Sequence, residues 1–230
     1  MTKIISAEVI ELNIPFDDPG KGEGLFEGAW TSHDFALLRV ETDNGLIGWG
    51  EGFSYFCRAT VATLMRQSII PALVGRDPAD IDLILAELRQ KLHIIGRYGI
   101  TMFAISAADL ALNDLNAKIA GVSLAEHLGG RKRENVAAYA SLVRYADTGL
   151  VGELSAKAAT EGFGMIKLHE IKLPYIEAAR AAIGPDVALT DDVNCNWTEV
   201  QTNDWAGALR DVDLLWLEEP IFPPEDFAAL

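Results

Sequence analysis

Three short stretches decide the fold: Met165–His169 (MIKLH), Val187–Asn194 (VALTDDVN) and Leu214–Pro220 (LLWLEEP). Each is an apolar run that ends in ionisable residues. The segments after the first two, 175–183 and 198–210, carry apolar residues at helical spacing. Upstream, 136–142 reads as one more strand and 150–162 as one more helix. The order is βαβαβαβ with short loops and strands apolar on both faces. Parallel neighbours need such crossover helices, so the pattern predicts a parallel sheet or barrel.

Before residue 131 the pattern differs. Residues 3–14 alternate and are rich in Ile and Val, which suits a strand; 33–42 reads as a second strand and 46–50 as a third, together a three-stranded meander. Asp43-Asn44-Gly45 supplies the positive-φ residues of a tight hairpin between 33–42 and 46–50. Helical periodicity covers 58–74 and 79–93, with Pro78 at a helix start. A long apolar helix covers 100–120 and is closed by Gly121. A short helix, 123–128, ends at Gly129-Gly130. The chain therefore divides into an α+β domain, 1–130, and an α/β domain, 131–230.

In parallel α/β arrangements chemistry gathers at the carboxyl ends of the strands. Lys167 and His169 are two apart and share a face, while Leu168 points to the helices. The next strand presents Asp191, Asp192 and Asn194, and the last presents Glu218 and Glu219 before Pro220. Each motif by itself also fits a solvated edge or a helix N-cap, although Thr198 before Glu199 is the better cap for the following helix. Jointly they place a basic pair and two carboxylate groups at one end of one sheet. Two carboxylates from adjacent strands suit a hard divalent cation such as Mg²⁺.

Half of the 230 residues are hydrophobic, enough for a sizeable core, and the formal net charge is −15. A phosphate backbone needs a basic face, so nucleic acid is excluded as a partner. No apolar run approaches the roughly 18 residues of a membrane span, and the N-terminus lacks the apolar core of a signal peptide. The two cysteines, Cys57 and Cys195, suggest no disulfide framework, and a reduced cytoplasmic setting is expected.

The ordered motifs resemble the mandelate racemase and muconate lactonising branch of the enolase superfamily. The resemblance rests on the Asp-Asn-Gly hairpin with Gly48-Trp49-Gly50-Glu51, Ser106–Ala111 on the long helix, Leu128-Gly129-Gly130 and the three strand ends. It implies an α+β capping domain followed by a TIM-type α/β barrel, of which only about the first four strands are present. It implies Mg²⁺ held by Asp192 and Glu218, with Asp191 and Glu219 on the other face. Members commonly carry Lys-x-Lys where this chain has Lys167-Leu168-His169. His169 would then be the general base that removes a proton α to a carboxylate, giving an enediolate, with Lys167 supplying positive charge. His169 as a substrate contact, with Lys167 or a residue beyond the chain as base, stays open.

Cap loops around Pro15–Trp30 and Glu51–Cys57 are expected to bring Phe26, Trp30 and Tyr55 to the substrate, alongside Asn194. The implied function is acid-sugar dehydration by a homo-oligomer. Racemisation or epimerisation and muconate-type cycloisomerisation are the related alternatives, and an inactive interaction remnant is the alternative of another class. The third metal ligand and the opposite-face acid/base are expected beyond residue 230.

Overall fold

The computed structural model describes residues 2–20 and 31–223. Of these, 2–15 and 32–134 form one compact unit, and 16–20, 31 and 135–223 form another.

The first unit opens with a meander of β1 (Ile4–Pro15), β2 (Ser32–Thr42) and β3 (Ile47–Gly52), antiparallel throughout. The β2–β3 turn forms at the expected residues. Gly45 takes φ 82°, Thr42 N–H donates to the Leu46 carbonyl at 3.0 Å, and the Thr42 hydroxyl reaches Asn44 Oδ1 at 2.6 Å. Helices α1 (Arg58–Leu64), α2 (Ile70–Leu73), α3 (Ile81–Leu92), α4 (Ile100–Ala120) and α5 (Leu124–His127) follow.

Residues 58–74 are not one regular helix. A π-helical turn, Met65–Ile69, separates α1 from α2 just ahead of Pro71. Proline has no N–H to donate, and its ring crowds the carbonyl four residues back, which opens the ladder at that point. Asp80, not Pro78, occupies the cap position of α3, and Gly121 ends α4 in the left-handed conformation with φ 68°.

The core of this unit depends on a close approach of β3 to α4. Gly48, Gly50 and Gly52 alternate with larger residues and so line one face of the strand. A Cβ on Gly50 would lie 2.0 Å from the Ala107 carbonyl oxygen, and one on Gly48 would lie 2.3 Å from that of Ala111. On the helix, Ala104, Ala107, Ala108 and Ala111 are buried. Asp114 caps the contact by accepting from Trp49 N–H at 2.9 Å.

The second unit is a parallel sheet in the order β4 (Ala140–Ser141), β5 (Met165–Leu168), β6 (Ala188–Asp192), β7 (Leu214–Glu218). Helices α6 (Thr148–Thr160), α7 (Leu173–Ile183) and α8 (Glu199–Val212) alternate with the strands. The expected strand 136–142 shrinks to two residues, and Val136 is exposed. The reason is the length of β5: it begins at Met165, after Gly162 and Gly164, so 136–138 have no β5 residue opposite them. The described residues form a four-stranded sheet and do not close a barrel. Ile166, Leu168 and Leu189 pack against Val151, Ile176, Ala179 and Val212. Thr198 caps α8 in a reciprocal capping box with Gln201. Among the described residues no helix is long and apolar enough to cross a membrane.

Replacing Gly50 with alanine forces a methyl into the Ala107 carbonyl. The expected loss of stability is about 1–3 kcal/mol, the usual range for overpacking, read as a lower urea midpoint. An unchanged midpoint would contradict the close strand–helix contact.

Candidate active site

The strand register brings four ionisable side chains together. In a parallel pair, partnered residues point the same way, and Lys167 is partnered with Thr190 while Asp192 is partnered with Glu218. Lys167, His169, Asp192 and Glu218 accordingly meet at the carboxyl end of the sheet. Lys167 Nζ lies 2.9 Å from Asp192 Oδ2 and 2.8 Å from Glu218 Oε2. Burial pulls the Lys167 ammonium towards neutrality, but its hydrogen bonds to Glu218 and Asp192 outweigh that and hold its pKa above the usual lysine value.

His169 Nδ1 is 2.5 Å from the Leu142 carbonyl. A carbonyl only accepts, so Nδ1 carries the hydrogen in this contact, and in the neutral ring the lone pair is then at Nε2. That Nε2 lies 3.7 Å from Asp192 Oδ2. Asn194, at φ 49°, turns back on the same carboxylate: its backbone N–H and its side-chain amide donate to Asp192 Oδ1 at 3.0 and 2.9 Å.

Asp191 takes the opposite face, as the period of two requires. It is fully buried, and its Oδ1 accepts the Glu170 backbone N–H at 3.0 Å. Burial is the main reason that its carboxyl is pushed up to about 8; the Glu170 N–H and Arg144 oppose the shift, and the Glu170 and Asp192 charges add to it. Glu219 also leaves the Glu218 face, at φ 46°. Its carbonyl accepts Cys195 N–H at 2.7 Å, which continues the β6–β7 pairing beyond the strands.

Two side chains at this face escaped the reading of the sequence. Trp216, two residues before Glu218, donates its indole N–H to Glu218 Oε2 at 3.2 Å. The two-residue spacing was the available signal. Thr190, two residues before Asp192, donates its hydroxyl to the Trp216 carbonyl at 2.8 Å and locks β6 to β7 where their register shifts. Tyr55 belongs to the first unit, in an aromatic cluster with Phe53 and His33 at ring-centre distances of 4.7 and 5.6 Å. Phe26 and Trp30 lie outside the described residues.

Asp192 and Glu218 oxygens already converge on one point cation, the Lys167 ammonium. That donor set, hard and anionic, fits a divalent ion such as Mg²⁺. Among the described residues no cluster of three or more His, Cys, Asp or Glu side chains gathers as a complete metal cage.

Comparison with known proteins places these motifs. The family model described as the mandelate racemase / muconate lactonizing enzyme N-terminal domain matches residues 26–129. The enolase C-terminal domain-like model matches residues 150–230. The chain is 33% identical over 201 residues to the D-galactarolactone cycloisomerase of Agrobacterium fabrum, covering 82% of this chain and 52% of that protein. It is 30% identical over 220 residues to the D-xylonate dehydratase of Haloferax volcanii, covering 85% and 52%. The crystal structure of the 3,6-anhydro-D-galactonate cycloisomerase from Zobellia galactanivorans superposes with a TM-score of 0.85 at 27% identity, covering 99% of this chain and 61% of that one. The chain thus spans about half the length of the curated relatives it matches.

The buried Asp191 makes stability depend on pH. The folded carboxyl holds its proton up to about pH 8, whereas the unfolded one releases it near pH 3.9. The folded state binds more protons between those values, so this contribution is complete at low pH and is lost as pH rises through the folded pKa. Asp191→Asn removes the loss. Urea unfolding in EDTA at pH 5 and pH 8.5 is expected to show the variant gaining about 3–5 kcal/mol on the parent at the higher pH. Parallel pH profiles would contradict the assignment.

Proposed function

The chain belongs to the mandelate racemase / muconate lactonizing enzyme branch of the enolase superfamily, and we propose that its strand ends form the metal-binding and proton-removing face of an acid-sugar dehydratase. The observation that carries this reading is the convergence of Asp192 and Glu218 on one cationic position, with the His169 imidazole beside them. Relatives with dehydratase names, including those for D-xylonate and arabinonate, support the class of substrate.

Asp192 and Glu218 would hold Mg²⁺, which when bound supplies the positive charge that a substrate carboxylate needs as its α-proton leaves. The remaining work falls to the chain's own residues. Asn194 fixes Asp192 by two hydrogen bonds, and Trp216 fixes Glu218 by one, so neither carboxylate has to find its rotamer when the ion arrives. Lys167 is drawn in between them and offers its ammonium to the substrate carboxylate. His169 presents a lone pair at Nε2, because Leu142 holds the hydrogen on Nδ1, and takes the α-proton there. Once protonated, Nε2 faces Asp192 Oδ2. The protonated imidazole then returns that proton to the β-hydroxyl, whose C–O bond breaks as the enediolate electrons form the new C=C bond, and water leaves.

A cycloisomerase is the second reading, favoured by the similarity to the D-galactarolactone enzyme. It shares the proton transfer α to a carboxylate and differs in the group that leaves or attacks. Cytoplasmic placement and a homo-oligomeric state belong to the same proposal.

His169→Ala is expected to slow α-proton exchange in D₂O by at least about 100-fold across a panel of acid sugars. Manganese binding, followed by electron paramagnetic resonance, is expected to persist in that variant and to weaken in Asp192→Asn. Undiminished exchange in His169→Ala would refute the role given to the imidazole.

A further inference from the structure

Behind the face just described lie three more ionisable side chains, Arg144, Glu170 and Asp191, only 6%, 1% and 0% exposed. Burying charged groups is costly unless each is tightly partnered. Their partners are specific. Arg144 Nε–H donates to the His169 carbonyl at 2.6 Å. Glu170 Oε1 accepts the backbone N–H groups of Tyr145 and Ala146 at 2.8 and 3.3 Å. Asp191 Oδ1 accepts the Glu170 N–H.

These bonds share two ends. One is the segment after β4, residues 142–146; the other is His169-Glu170, after β5. His169 is held at its ring by the Leu142 carbonyl and at its backbone by Arg144. Glu170 in turn holds the segment that supplies both contacts, including Ala146, whose φ of 53° is a conformation that non-glycine residues seldom adopt unaided. Asp191 anchors the Glu170 backbone to β6. Any shift of 142–146 moves the carbonyl that fixes the imidazole hydrogen.

We infer that Arg144, Glu170 and Asp191 form a positioning network that fixes the place and tautomer of His169. All three are buried, and each is tied to the His169-Glu170 backbone or to the loop that holds the imidazole. The inference rests on the reading of His169 as the proton acceptor only for its catalytic consequence, because the geometric claim stands without it. A purely structural role for the network would lower stability and leave the imidazole unchanged. A positioning role changes the ring itself.

The test is the long-range ¹H–¹⁵N spectrum of the His169 ring in EDTA at pH 8, with His169→Gln to assign it. The parent is expected to show one tautomer, protonated at Nδ1. A parent signal from a mixture, or from the Nε2–H form, overturns the proposal. Arg144→Met is expected to mix the tautomers. Because that variant strands two buried acids and can fail to fold, Arg144→Met with Glu170→Gln is measured beside it. Glu170→Gln retains the side-chain oxygen and is expected to keep the parent signature. Parent-like ring signals in a folded Arg144→Met protein, single or double, overturn the network's role.

In the exchange assay the Arg144 variants are expected to lose about 10- to 100-fold in rate at little-changed half-saturation, the pattern of a misplaced group. If the ring signature changes but His169→Ala exchanges normally, the positioning stands and the base assignment falls. If the signature is unchanged while His169→Ala is inactive, the reverse holds.

Discussion

One ammonium group, Lys167 Nζ, sits between the carboxylates of Asp192 and Glu218, and the rest of the second unit is arranged to keep it there. At 2.9 Å the attraction to Asp192 is about 6 kcal/mol for an effective dielectric near 20, and desolvation of these buried groups cancels much of it. The cluster is therefore no large source of stability. Its significance is geometric. Carboxylates from adjacent strands that share one cation have their oxygens turned towards a common point, and the hydrogen bonds from Asn194 and Trp216 hold them so. On the proposed reading, a divalent ion at that point would find its ligands oriented once the ammonium withdrew towards the substrate side. The same charge would then serve both to orient the pair of acids and to meet a substrate carboxylate.

The parallel register makes this convergence possible. Lys167 opposite Thr190 and Asp192 opposite Glu218 are fixed by backbone bonds, and a slip of one residue would send every one of these side chains into the helices. Asp191 shows the cost of the opposite face. It lies buried near Glu170 and Arg144, its carboxyl pushed up to about 8 chiefly by burial, and it accepts the Glu170 N–H. One strand end thus carries two neighbouring aspartates on opposite faces: one turned towards the Lys167 ammonium, the other bound into the scaffold behind it.

Much of this was legible in the sequence, because a period of two needs no tertiary information. It separated Lys167 and His169 from Leu168, and Asp192 from Asp191. The hairpin at Asp43-Asn44-Gly45 and the cap at Thr198 were equally local. What escaped depends on distant partners. Strand 136–142 was overextended because its length is set by β5, which starts late. Arg144 and Glu170 drew no reading from the sequence, since nothing local says that one clamps the His169 carbonyl and the other two backbone N–H groups. The glycines of β3 entered the reading only as part of a family motif, whereas in the fold they admit the α4 backbone. The expectations for Phe26 and Trp30 fall outside the described residues, and closure into a barrel is not seen among them.

The most direct test of the central claim, that Asp192 and Glu218 are turned towards a cation site beside His169, is anomalous diffraction from crystals grown with Mn²⁺. The account predicts one strong peak about 2.0–2.2 Å from a carboxylate oxygen of each residue, with the Lys167 ammonium displaced from between them. A peak elsewhere, or none while Lys167 still bridges the two acids at saturating Mn²⁺, would contradict it.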